Sequence, residues 1–139
     1  MKCDIVSARR TVWSGEVSMI IADGAAGELG ITPRHAPLLT TLKAGAVRVQ
    51  EAGGEERTFM IGGGILEVMP HLVTILVDHA TRAIDFDEAA AKQAMADARR
   101  ELETKGGAME IAEAQAKLVE TIEQLRALEQ WRRRVQHKK

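Results

Sequence analysis

Aromatic side chains are scarce in this chain: two tryptophans, two phenylalanines and no tyrosine, 3% of 139 residues. Any core must therefore be built from Ala, Val, Ile, Leu and Met, which pack adequately but not densely. A single cysteine, Cys3, excludes an internal disulfide, and with four scattered histidines it leaves no zinc-type ligand spacing. No metal is implied, and a reducing cytosolic compartment is the simpler reading. Neither sign of charge prevails: 19 basic and 20 acidic side chains give a formal charge of −1. Broad electrostatic attraction to nucleic acid or to anionic lipid is excluded by that balance. The longest apolar run, LVTILV at residues 72–77, is far too short to cross a bilayer, and MKCDIVSARR lacks a charged-then-apolar signal pattern. Membrane association is expected only through a partner.

Catalytic signatures are also missing. The chain has no G-x-S-x-G, no H-E-x-x-H and no nucleophile beside a base, and its paired acids fall at a turn (Glu55-Glu56) and a helix start (Asp87-Glu88). Gly62-Gly63-Gly64 is not followed by a helix or a lysine, as a phosphate loop requires, but by the strand-like ILEV. The glycines are therefore expected at a bend or a close approach of strands. Cys3 is expected in the core, and His71 and His79 at the solvent ends of a strand.

What is present divides into two periodicities. Up to about residue 84 the chain is a series of short β-type runs: CDIVSA, EVSMIIA, PLLTTL, GAVRVQE, RTFMIG, GILEV and HLVTILVD. Val47 and Val49 alternate with Arg48 and Gln50, as a half-buried strand requires. AGGEE at 52–56 reads as a hairpin turn in which Gly53 and Gly54 can take positive φ. Short strands separated by turns close into a sandwich or flattened barrel. Beyond residue 84, Asp85 is expected to cap a helix over 86–104 with Glu88 completing a capping box, and Gly106-Gly107 to end it. Ile111, Ala114, Leu118, Thr121, Ile122, Leu125 and Leu128 predict a second amphipathic helix over 109–134. The two form an antiparallel hairpin. Its first helix presents a thin stripe of Ala91, Ala94, Met95, Ala98 and Leu102, so the pair is expected to be held weakly. The end of the chain, WRRRVQHKK, has five basic residues and no acid, a candidate hook for an acidic partner.

The segment GELGITPRHAPL at 27–38 gathers a carboxylate and a histidine, Glu28 and His35, among turn-formers. Acid–base work is conceivable for such a pair, but without a nucleophile the segment reads better as a rigid surface presented to a partner. Alternatives from other classes are an enzyme acting through this loop, or a free-standing nucleotide-sensing or small-molecule-binding sandwich protein.

GELGITPRHAPLLTTLKAGAVRV together with GGGILEVMPHLVTILVDHA resembles the epsilon subunit of bacterial F-type ATP synthases. The resemblance runs from DIVSA at 4–8 through the hairpin, and GELGI, HAPLL and GGILEV, in that order, are its most specific parts. It implies an α+β fold: an N-terminal antiparallel β-sandwich of about ten strands over 1–84 and a C-terminal antiparallel α-helical hairpin over 85–139. It also implies a non-catalytic stalk subunit that binds the gamma subunit, sits on the ring of c subunits and turns with it as protons cross the membrane. Such a subunit is peripheral, on the cytoplasmic face of the bacterial inner membrane. Glu28, Gly30 and His35 carry over as ring contacts. In the family the hairpin lies folded on the sandwich or extends along gamma into the alpha/beta catalytic head, where it hinders ATP hydrolysis. Arg126, Arg132, Arg133 and Arg134 are the candidate contacts there. Some members bind ATP through I/L-D-x-x-R-A at the start of the first helix. The matching stretch here, Ile84-Asp85-Phe86-Asp87-Glu88-Ala89, has glutamate in place of arginine and would repel phosphate. No cofactor is expected.

Overall fold

In the computed structural model, which describes residues 1–104 and 107–137, eight strands precede two helices. The strands are β1 (Lys2–Ser7), β2 (Thr11–Gly24), β3 (Gly27–Ile31), β4 (Leu38–Glu51), β5 (Glu56–Ile61), β6 (Gly64–Val68), β7 (Leu72–Val77) and β8 (Ala80–Arg82). A short 3-10 turn, Ala83–Asp85, leads to α1 (Glu88–Glu103) and α2 (Ala108–His137). The fold is α+β, a β-sandwich followed by a two-helix hairpin.

Two strands, each of 14 residues, belong to both layers. The first half of β4 pairs with β6 from Leu38 to Leu42, and its second half pairs with β5 from Gly45 to Gln50. PLLTTL and GAVRVQE are thus one bent strand, which turns at buried Gly45, where φ is +149°. Only glycine adopts such a φ without strain. Likewise β2 pairs early with β1 and later with β3 and β4, with register shifts at the bend. Eight continuous strands, two of them bent, therefore supply the two layers that the sequence suggested as about ten strands. One layer is β2-β1-β7-β6-β4, and the other is β3-β2-β4-β5-β8. All pairings are antiparallel except β1 with β7, which runs parallel, the five strands between them in sequence serving as the crossover connection.

Inward-facing residues from both layers, among them Ile5, Ile20, Val47, Val49, Leu66, Val73 and Ile75, form the main core. Cys3 lies in it, and burial, with the Asp4 charge beside it, pushes its thiol up to about 12. The few aromatics are divided between two tasks. Trp13 and Phe59 lie 6.0 Å apart in the sandwich, whereas Phe86 and Trp131 pack on Met60, Ala83, Ala127 and Leu128, where the hairpin meets the second layer. Each fully buried side chain of this size contributes roughly 1.5–3 kcal/mol, so Leu128 and Met60 are the principal anchors of that junction.

The helix start differs from expectation. Asp87, not Asp85, is the N-cap: its carboxylate accepts from the Ala90 amide at 2.9 Å. Asp85 closes the 3-10 turn, and Phe86 follows with an extended backbone, ψ 125°. Seating Phe86 in the junction delays the helix by two residues, and Glu88 becomes the first helical position instead of the far half of a capping box. The expected alanine seam is present, with Ala91 and Ala98 of α1 and Ala114 of α2 buried. Lys105, Gly106, Lys138 and Lys139, which the expected helix turn and basic tail include, lie outside the described residues.

Candidate functional site

The outer faces of the two layers differ. Residues of the β3-β2-β4-β5-β8 layer are covered by α2, which meets β4 and β5 through the Met60–Leu128 junction. The outer face of the other layer carries uncovered apolar side chains among polar ones such as Glu67 and Thr74: Leu39 is 69% exposed, Ile65 and Leu76 each 44%, Met69 45% and Leu72 37%. Ile65 stands directly opposite Leu76 across β6 and β7, and opposite Thr41 on β4. This accounts for LVTILV: Val73, Ile75 and Val77 enter the core, while Leu72 and Leu76 point out. A strand apolar on both faces normally has both faces covered, and a contiguous exposed apolar patch marks an interaction surface. The pattern was readable in the sequence as an apolar run broken only by Thr74, but alternation alone did not say that one face lacked a cover.

Glu28 and Gly30 lie on β3, where Glu28 stands opposite Asp23 and Gly30 opposite Ile21 of β2. His35 is in the loop between β3 and β4, next to Arg34, whose φ is +65°. The His35 Nδ1 lies 2.6 Å from the Ala36 carbonyl oxygen, and the His35 and Arg34 amides donate to the carbonyls of Thr32 and Pro70. The loop is thus fixed by backbone hydrogen bonds, one within itself and one to the turn between β6 and β7. Among the described residues, no hydrogen bond or ion pair joins Glu28 to His35. Partial loss of hydration, then the Glu28 charge, raise the carboxyl of Asp23 above the usual range, against Lys43 and Arg48.

All four candidate arginines are paired within the chain. Arg126 meets Glu123 at 3.3 Å and Arg133 meets Glu129 at 2.6 Å, both along α2. Arg132 reaches Glu88 of α1 at 2.7 Å, and Arg134 reaches Glu56 of β5 at 2.8 Å. The last two link the end of α2 to the rest of the molecule. Arg132, and then Lys92, hold the Glu88 carboxyl below its usual range.

At the start of α1 an open cleft of about 390 Å3 is lined by Asp85, Phe86, Asp87, Ala90, Lys117 and Thr121, among others. Its charged lining is two carboxylates and one ammonium. Ile84, at the edge of this region, is 62% exposed, and Ala89 is exposed as well.

Residues 1–83 match the family model described as the beta-sandwich domain of the ATP synthase Delta/Epsilon chain. The chain is 51% identical to the ATP synthase epsilon chain of Stenotrophomonas maltophilia strain K279a over 99% of its own length and 98% of that protein. Its identity to the corresponding chain of Xanthomonas euvesicatoria pv. vesicatoria is also 51%, over the same shares. The chain belongs to the ATP synthase epsilon chain family. Its fold is similar to that of a chain in the Euglena gracilis mitochondrial ATP synthase, with a TM-score of 0.73 and 22% identity over 91% of this chain and 78% of that one. No helix among the described residues is long and apolar enough to cross a membrane.

For an epsilon-family chain the helix cap matters in one further way. A motif placed by the start of α1 has its aspartate at Asp87, so the stretch becomes Phe86-Asp87-Glu88-Ala89-Ala90-Ala91. The position three residues beyond the aspartate is then Ala90 rather than Glu88. In neither frame does an arginine occur. Sequence reasoning also missed Glu56 and His79 as the sandwich's partners for α2, because each pairs with a residue far along the chain.

Proposed function

We propose that this epsilon-family chain is a non-catalytic central-stalk subunit of a proton-translocating F-type ATP synthase, coupling the gamma subunit to the c-subunit ring and restraining ATP hydrolysis through its C-terminal helices. The observation that carries the reading is the bare apolar face around Ile65 and Leu76, set opposite the face that the hairpin covers. Residues 1–84 form the unit that binds gamma, through that face, and the ring, through Glu28, Gly30 and His35. Residues 85–139 form the regulatory unit. Here the hairpin is folded, with Arg132 and Arg134 engaged by Glu88 and Glu56. Extension along gamma would free these arginines, with Arg126 and Arg133, for acidic segments of the alpha/beta head. The chain then lies at the cytoplasmic face of a bacterial inner membrane, held there by the complex. ATP binding has no part in this reading: at the start of α1, Ile84, Asp85, Glu88, Ala89, Asp87 and Ala90 bring no cation, and the one ammonium in the cleft, that of Lys117, faces the carboxylates of Asp85 and Asp87.

The test is co-purification with gamma. Ile65→Asp combined with Leu76→Asp places two unpaired charges on the proposed contact and should abolish the complex while the isolated chain keeps its circular dichroism spectrum. Retained gamma binding by that variant would remove the reading. Loss of binding with Glu28→Ala instead would move the gamma contact to the β3 edge.

A further inference from the structure

One contact between hairpin and sandwich lies outside the apolar junction. His79, in the turn between β7 and β8, has its Nε2 2.7 Å from Oε1 of Glu120 on α2, 41 residues away in sequence. An ionised carboxylate only accepts, so Nε2–H of His79 is the donor. The second carboxylate oxygen of Glu120 lies 3.7 Å from Nζ of Lys117. Both oxygens are therefore occupied, and the side chain is held in one orientation.

The pair rests on a glycine. A Cβ added to Gly62 would collide with Oε1 of Glu120 and with Nε2 of His79, and the Gly62 amide points to the His79 carbonyl at 3.4 Å. The three glycines at 62–64 thus divide their tasks. Gly63 takes a φ of +104°, Gly64 lies against the Leu76 carbonyl, and Gly62 leaves room for two side chains from different elements to meet. One turn further along α2, buried Gln124 donates to the Ile61 carbonyl at 3.3 Å, fixing the helix to the same strand end.

We propose that His79 and Glu120, seated on Gly62, form the latch that holds the first half of α2 to the sandwich, and that Glu120 sets how often the hairpin leaves. The apolar junction at Leu128 and Trp131 secures the second half only. The functional consequence rests on the reading above that a detached hairpin restrains hydrolysis; the latch itself does not.

Amide hydrogen exchange on the full chain tests it. Glu120→Ala and His79→Ala should each speed exchange over residues 111–124 by about twofold to fivefold, as expected of a partly exposed pair, while β1 and β7 keep their rates. The double variant should exchange no faster than Glu120→Ala alone. Glu120→Gln, which keeps an acceptor oxygen, should lose less than Glu120→Ala. Gly62→Ala, with both partners intact, should speed the same segment. Unaltered exchange of α2 in these variants, or effects of the two singles that add in full, would overturn the latch. Faster exchange in Glu120→Ala with unaltered ATP hydrolysis in the assembled enzyme would sustain the latch and remove the regulatory reading.

Discussion

Asp85 and Asp87 stand two residues apart at the entrance to the hairpin, and only one of them caps it. Asp87 satisfies the Ala90 amide, one of the first-turn donors that have no partner inside the helix. Replacing Asp87 with alanine should destabilise α1 by about 1 kcal/mol, read as an earlier loss of helical circular dichroism on heating. Asp85→Ala should leave that transition in place; an equal effect would restore the cap to Asp85. A second carboxylate gives a test by pH. Reduced hydration and the Glu28 charge raise Asp23, so the folded chain binds this proton more readily than the unfolded chain does. The stability linked to the neutral acid is present below the unfolded value of about 3.9 and is lost as pH rises through the higher folded value. Asp23→Asn should therefore melt at a higher temperature than the parent chain at neutral pH, and the gap should close below about pH 3.9. A gap of the opposite sign would mean that Lys43 and Arg48 outweigh the lost hydration and the Glu28 charge.

At the scale of elements, α2 carries the hairpin. It packs on α1 through small residues, Ala114 against a seam that includes Ala91 and Ala98, but on the sandwich through Leu128, Ala127 and Trp131. Methyl contacts give little area, so the larger side chains decide whether the pair stays docked. Leu128→Ala should weaken docking by about 2–5 kcal/mol, seen as greater accessibility of Trp131 to a fluorescence quencher. The Ile5–Val73 sandwich should keep its cooperative transition; simultaneous loss of both would make the molecule a single unit. The elements themselves were largely legible. Alternation in Val47–Gln50 and the alanine-rich run after Asp87 follow from period alone. What local pattern could not supply was the continuity of β4 through Gly45, which depends on a bend between two layers, or the docking of Phe86, which moved the helix start. Of the candidate site, the segment GELGITPRHAPL fixes only where its residues fall: Glu28 and Gly30 on β3 and His35 in the loop that follows. The pairs Arg134–Glu56 and His79–Glu120 were not, because each is created by folding across 78 and 41 residues.

For the whole molecule, only one outer face of the sandwich is covered by the hairpin, and this makes the hairpin separable from the proposed stalk contact. Removing residues 85–139 would uncover Met60 and Ala46 on the second layer, while Leu39, Ile65 and Leu76 on the first layer would be untouched. The main core contains no residue from the helices, so the truncated chain should fold, with more tendency to self-associate through its newly exposed face. If the first layer is the gamma contact and the hairpin is the restraint, the truncated subunit should still assemble with gamma, still support coupled ATP synthesis, and raise ATP hydrolysis by the complex. The three readouts separate the claims. Lost gamma binding would show that the helices contribute to the stalk contact, whereas assembly without a rise in hydrolysis would show that the folded hairpin has no restraining counterpart. A subunit carrying Arg132→Glu, Arg133→Glu and Arg134→Glu should fall between the parent and the truncated chain in hydrolysis. Reversal breaks the folded-state pairs with Glu88 and Glu56, which favours release, and removes the positive charge that the extended helix would present to an acidic head. Hydrolysis higher than that of the parent therefore requires the second effect to exceed the first. Stronger restraint would identify the arginines as fasteners of the folded state rather than as contacts of the extended one.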